Sequence, residues 1–122
     1  MPRYVILRHE VPAGSARPSH WDFMLEHGDV LRTWALERSP DAAEPQSALS
    51  LPDHRAAYLT YEGPVSGRRG EVARWDEGTF TTTIDLAGDQ VDAQLIGRRL
   101  RGRVTLVRRE SQTFDYRYRP DV

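Results

Sequence analysis

Hydrophobic and polar positions along this chain alternate mostly with a period of two, the signature of half-buried strands rather than helices. Residues 4–8 (YVILR) form a β-branched and aromatic run that predicts a buried strand. In residues 20–26 (HWDFMLE), Trp21, Phe23 and Leu25 alternate with His20, Asp22, Met24 and Glu26. His27-Gly28-Asp29 predicts a turn, and residues 30–36 (VLRTWAL) return as the second arm of a hairpin. Residues 37–52 hold Pro40, Pro45 and Pro52 among Ser, Asp, Ala and Glu, which predicts a long surface loop, with room for a short helical turn. Further strands are expected at 57–61, 71–75, 79–86, 90–96, 101–108 and 113–119, with a hairpin turn at Asp76-Glu77-Gly78.

About eight short strands and no helix predict an all-β fold: a compact antiparallel β-barrel with one long Pro/Ala-rich surface loop, or failing that a sandwich. Closure into a barrel removes the strand edges that so many short strands otherwise expose. Trp21, Phe23, Trp34, Tyr61, Trp75, Phe80 and Leu106 are the candidate core. The chain's 122 residues predict a single domain over 1–122.

Composition narrows the chemistry. Hydrophobic residues make up 39% and charged residues 29%, a water-soluble balance, and no apolar run reaches the roughly 20 residues needed to span a bilayer. There is no cysteine, so thiolate metal sites, disulfides and cysteine nucleophiles are excluded, and a cytoplasmic location is expected. All 17 basic residues are arginine, which excludes lysine nucleophiles and leaves anions to arginine forks, histidines or backbone N–H groups.

The four histidines, His9, His20, His27 and His54, all lie in the first half. His20 and Asp22 project from one face of a strand, about 7 Å apart at Cα by strand rise, opposite an apolar face. An imidazole and a carboxylate so placed suit a divalent metal such as Mn²⁺ or Zn²⁺; the plain alternative is a polar face turned to water. His9 closes the first strand and can be a third ligand if the first two strands are neighbours. His27, in a turn, is assigned no role. His54 and Tyr58 can hold an anion or move a proton, the alternative being a capped turn and a core tyrosine. Residues 98–109 carry six arginines and no acid, suited to phosphate contact or to a solvated face. The glycines at 63, 67 and 70 lack a strand–loop–helix setting, so no phosphate-binding P-loop is read there.

Four stretches in order resemble one family, the 3′-phosphoesterase domain of bacterial DNA ligase D and its small stand-alone relatives. HWDFMLEHGDVLRTWAL (20–36) is similar to its H-Y-D-F-R-L-E…G-V-L-K-S-W-A-V segment. LPDHRAAYLTYEG (51–63) is similar to E-D-H-P…Y…F-E-G, and GEVARWDEGTF (70–80) to G-T-V…W-D-x-G-T-W. LIGRRLRGRVTLVR (95–108) resembles L-x-G-x-x-L-x-G-x-W-x-L-x-R.

The resemblance implies a compact β-barrel and a metal-dependent enzyme that removes a terminal ribonucleoside and a 3′-phosphate, leaving a 3′-OH for ligation. It places His9, His20 and Asp22 on metal ligands, with Mn²⁺ expected and Zn²⁺ or Co²⁺ as alternatives. His54 and Tyr58 fall on residues that engage the scissile phosphate. The implied partners are DNA or RNA–DNA 3′ ends and a separate ligase or polymerase of an end-joining system, with no membrane.

Two departures stand out. The family's arginine two residues after the metal-binding aspartate is Met24 here, and loss of such a charged donor can cost roughly 2–4 kcal/mol of transition-state stabilisation. Arg32, on the adjacent hairpin strand, is the candidate substitute. The segment between His9 and His20 is also longer than in the family. If Met24 disables catalysis, the same barrel is expected to serve as a binding module for nucleic-acid ends or a repair partner.

Overall fold

The computed structural model describes residues 1–82 and 88–122. Its strands are β1 (Arg3–Glu10), β2 (His20–His27), β3 (Val30–Leu36), β4 (Gln46–Arg55), β5 (Gly63–Pro64), β6 (Glu71–Thr82), β7 (Gln90–Gly97), β8 (Arg101–Glu110) and β9 (Thr113–Pro120). Every pairing is antiparallel. The ladder runs β1-β2-β3-β4-β9-β8-β7-β6, and β1 pairs β6 to close it into an eight-stranded barrel, with β5 outside the ring against β6. The all-β barrel expected from the strand count is the fold observed.

The lumen is filled by alternate residues of each strand, including Tyr4, Ile6, Phe23, Leu25, Trp34, Phe80, Leu106, Phe114 and Tyr116. An eight-stranded ring is just wide enough for side chains to fill it. Of the candidate core, Phe23, Trp34, Phe80 and Leu106 are buried there, while Trp21 and Trp75 are half-buried against it and Tyr61 is exposed outside.

A second apolar cluster lies on the outer wall. Val5, Leu7, Met24, Leu31 and Val72 are covered there by Leu59, from the segment between β4 and β5, with Tyr58 and Val65 packed alongside. Parts of β1, β2 and β3 are therefore buried on both faces, which accounts for the continuous apolar run in β1.

Three expected elements differ. The loop expected over 37–52 is shorter, because Gln46–Arg55 forms β4. Gln46 and Ala48 face inward while Ser47 and Leu49 face outward, and Pro52 is tolerated because β4 pairs β9 only at Gln46–Leu49. The strand expected at 57–61 is a 3₁₀ turn, Ala56–Leu59, in which neighbours Tyr58 and Leu59 both pack rather than alternate.

The hairpin expected around residues 76–78 is one continuous strand, β6. Gly78 serves a close strand approach, since a Cβ there would strike the backbone of Ile96 and Gly97. Asp76 is a buried anchor: its carboxylate accepts hydrogen bonds from Tyr4 Oη (2.6 Å) and from the backbone N–H groups of Arg98 (2.9 Å), Arg99 (2.8 Å) and Leu100 (3.1 Å). Burial first, and the Asp76 carboxylate second, push the Tyr4 phenol up, so it stays a donor. Residues 83–86 of the strand expected at 79–86 lie outside the described residues. Among the described residues no helix is long and apolar enough to cross a membrane.

Candidate metal centre

The antiparallel ladder places His9, near the end of β1, directly opposite His20 at the start of β2. Asp22 follows two residues along, on the same outer face as His20. This register makes the length of the intervening loop immaterial, and Ser19 Oγ accepts a hydrogen bond from Val11 N (3.0 Å) to close it. The His9 and His20 rings stand 4.9 Å apart between centroids, and the ligand atoms of His9, His20 and Asp22 all lie within 4.8 Å of one another. The expected neighbourhood of β1 and β2 thus brings three candidate ligands together.

Contrary to a polar face turned to water, His20 and Asp22 are each only 3% exposed. Their partners define the chemistry. His20 Nδ1 lies 2.9 Å from the Pro18 carbonyl, and His9 Nε2 lies 2.7 Å from the Arg69 carbonyl. A carbonyl only accepts, so these two nitrogens carry protons. The other nitrogens face the carboxylate: His9 Nδ1 is 3.6 Å from Asp22 Oδ2, and His20 Nε2 is 3.1 Å from Oδ1. Despite that distance, Oδ1 is buried without an aligned hydrogen bond.

Two neutral imidazole lone pairs and a carboxylate repel one another unless a cation lies among them. A proton or a divalent metal satisfies that set, and the outward N–H groups anchored on backbone carbonyls orient the rings as in histidine metal sites. The donor set of two nitrogens and a carboxylate fits Mn²⁺, Zn²⁺ or Co²⁺.

Without a metal, a proton serves. The Asp22 contact raises His9, outweighing the opposing effect of burial. Burial raises the Asp22 carboxyl, but the His20 and His9 contacts outweigh it and hold it at about 2. The signs lead to a pH prediction. His9 binds a proton more readily than an ordinary histidine, so the proton competes with metal at and above pH 6.5. Metal affinity should rise with pH through the raised His9 value and then level off. The metal-free His9–Asp22 contact behaves oppositely, stabilising the fold below pH 6.5 and fading as pH rises through the folded value. Calorimetric titration of Mn²⁺ between pH 6 and 8.5 checks this; a flat profile would remove His9 from the ligand set.

The cluster lines a cavity of about 730 Å³ together with His54, Tyr58, Arg17, Arg55, Arg68 and Arg69. His54 presents its Nδ1 to the Pro52 carbonyl at 3.0 Å, leaving Nε2 for another partner, and its ring meets Tyr58 edge-on at 5.6 Å. The structure therefore brings five expected residues, His9, His20, Asp22, His54 and Tyr58, to one cavity.

Arg32 is elsewhere. It shares the lumen-facing side of β3 with Trp34, and its guanidinium lies over the Trp34 (4.6 Å) and Phe114 (5.6 Å) rings. Asp22 and Met24 point to the opposite side of the wall, so Arg32 does not stand in for the family's arginine. Met24 itself is buried in the outer apolar cluster and does not line the cavity.

Sequence reasoning missed the four cavity arginines. They sit on irregular or strand-end segments with no periodicity to expose them. The one signal was Gly70, whose φ of 96° and contact with the Glu10 backbone exclude a side chain. That close approach brings the Arg69 carbonyl to His9.

With this geometry in hand, comparison with known proteins is specific. The sequence profile of the DNA ligase D 3′-phosphoesterase domain matches residues 11–108. The match begins after His9, so the place of His9 in the cluster rests on the β1–β2 register. The chain is 36% identical over 113 residues to the multifunctional non-homologous end joining protein LigD of Mycobacterium bovis, covering 86% of this chain and 14% of that protein. It is equally identical, over the same length, to the multifunctional non-homologous end joining DNA repair protein LigD of Mycobacterium tuberculosis. It is 32% identical over 112 residues to the LigD of Pseudomonas aeruginosa, covering 84% of this chain and 13% of that one. The chain thus spans about one seventh of the length of these relatives. A profile match over most of the barrel, together with these identities, shows that the chain belongs to the DNA ligase D 3′-phosphoesterase domain family.

Proposed function

We propose that this protein is a divalent-metal-dependent phosphoesterase that trims DNA 3′ ends in end-joining repair, removing a terminal ribonucleoside and a 3′-phosphate to leave a 3′-OH. The observation that carries the reading is the His9–His20–Asp22 cluster, with His20 and Asp22 buried and a carboxylate oxygen that lacks an aligned hydrogen bond, beside an arginine-lined cavity. The family and the repair function in its relatives' names support the substrate class.

His9 Nδ1, His20 Nε2 and the Asp22 carboxylate would hold the metal, Mn²⁺ first, with Zn²⁺ or Co²⁺ as alternatives. A bound divalent cation supplies Lewis-acid polarisation of phosphoryl oxygen and lowers the pKa of water. The chain's own groups do the rest. His54 Nε2 holds a nonbridging oxygen when protonated, or gives its proton to the leaving oxygen. Tyr58 donates its hydroxyl to the phosphate. Arg17, Arg55, Arg68 and Arg69 supply the positive charge that Met24 does not, and guanidinium forks match phosphate geometry. The product 3′-OH passes to a ligase, which with a polymerase is the expected partner.

The test is a labelled primer–template in Mn²⁺, ending in a 3′-phosphate or in a single ribonucleotide, with His20→Ala as control. The parent should convert both to a 3′-OH and the variant neither. Absence of conversion by the parent would sink the enzyme reading.

The absence of the family's arginine at position 24 favours a second reading, a binding module for nucleic-acid ends or a repair partner. On that reading the parent binds 3′-phosphate ends in a His20-dependent way and converts none of them.

A further inference from the structure

A second cavity, of about 230 Å³, adjoins the one at the His9–His20–Asp22 cluster, and the two share Arg55 and Tyr58 in their linings. Beyond those two residues the smaller cavity is lined by Ala57, Tyr61, Pro64, Val65 and Ser66. Three rings step outward from the anion end: His54 meets Tyr58 at 5.6 Å and 68°, and Tyr58 meets Tyr61 at 5.7 Å and 88°.

Tyr61 is held in place. Its hydroxyl donates to the Pro64 carbonyl within the turn, and Pro64 is fixed in the β5–β6 ladder opposite Glu71. The hydroxyl is thereby used internally, while the residue remains 39% exposed. Tyr58 and Val65 rest on the outer apolar cluster, which gives the small cavity a firm floor. Arg55, lining both cavities, is exposed at the end of β4, and its side chain makes no hydrogen bond or ion pair among the described residues.

An arginine-lined cavity that shares one guanidinium with a smaller pocket walled by two tyrosines matches a ligand with an anionic end and a flat aromatic end. Aromatic faces bind heterocyclic bases by stacking, with little regard to base identity. We infer that the Tyr58–Tyr61 pocket is a base-stacking subsite. It takes the nucleobase of the nucleotide whose phosphate sits at the metal cluster, and Arg55 bridges the two. This rests on the phosphoesterase reading above and adds to it a specificity element: a nucleotide in preference to a bare phosphate ester. Neither Tyr61 nor this pocket was assigned a role by the resemblance.

The test is calorimetric binding to the Mn²⁺-loaded protein of a deoxynucleoside 3′-monophosphate, the base-free deoxyribose phosphate and inorganic phosphate. The nucleotide should bind about tenfold or more tighter than the base-free sugar phosphate, the scale of one stacked base. That ratio should vary little among the four bases. Tyr61→Ala should collapse it toward one, whereas Tyr61→Phe, which keeps the ring, should preserve most of it; thermal melts of both variants check folding. A nucleotide that binds no tighter than the sugar phosphate overturns the subsite while leaving the anion site standing. So does a ratio unmoved in Tyr61→Ala. If none of the three binds at millimolar concentration, the anion site and the phosphoesterase reading fail together.

Discussion

Asp22→Asn should abolish metal binding and 3′-end trimming while leaving the barrel folded. The substitution keeps the size of the side chain but removes the charge that draws a divalent cation between two imidazoles. Mn²⁺ affinity should fall about 100-fold or more, at least the scale seen when groups supporting metal ligands are removed. The fold should tolerate the change, because the side-chain partners of Asp22 among the described residues are His9 and His20. The measurements are a Mn²⁺ titration, the primer–template assay and a thermal melt of the metal-free protein. Parent-like Mn²⁺ affinity in the variant would show that the cluster is not the metal site.

Asp76→Ala should do the opposite, destabilising the protein without touching the site. Four donors converge on that carboxylate: the Tyr4 hydroxyl and three consecutive backbone N–H groups of the turn between β7 and β8. Removing it leaves the buried Tyr4 hydroxyl and Leu100 N–H without that acceptor, each costing about 1–3 kcal/mol before relaxation, and frees the turn at Arg98 and Arg99. Because the donors share one acceptor the costs are not additive, and a total of about 3–5 kcal/mol is expected. For a chain of this size that lowers the melting temperature by about 10 °C or more. Gly97 belongs to the same assembly, since a Cβ there would collide with Tyr4 Oη and Asp76. A melt within a degree or two of the parent would show that the turn is held by other contacts.

Two buried aspartates thus have opposite duties, and the contrast lies in their partners. Asp76 is surrounded by donors and is satisfied as it stands. Asp22 faces two ring nitrogens whose protons are directed elsewhere, and its Oδ1 lacks an aligned hydrogen bond. In the sequence, Asp76 sits in a Trp-Asp-Glu-Gly string that reads as a hairpin turn, because Asp and Gly favour turns. In the fold the same glycine permits strands to cross closely, and the aspartate ties a turn 22–24 residues away.

Period-two alternation, with the β-branched and aromatic run of β1, was enough to establish an all-β chain and its strands β1, β2, β3, β7, β8 and β9, because both signals are local. It missed β4, where proline and polar residues mask a strand whose pairing partners lie on both sides only over its first half. The spacing of His20 and Asp22, two residues apart on one strand, was likewise legible locally. Their burial was not, since it depends on residues distant in the chain that line the same cavity, while a cover from residues 58–65 lies over the outer apolar cluster. The same cover hides Met24, and the outer side of β2 cannot be recognised as a second core from β2 alone.

What the sequence by itself determined is therefore the local part: the strands with clear alternation, the residue types able to hold a metal, and the family to which they belong. The tertiary structure decided the rest. The β1–β2 register set His9 against His20, the loop carbonyls of Pro18 and Arg69 fixed which ring nitrogens face Asp22, and the barrel wall separated Arg32 from the cavity. Each of these depends on contacts between residues distant in the chain, or on which side of a closed sheet a side chain falls. Local patterning carries no record of either until the ladder is closed.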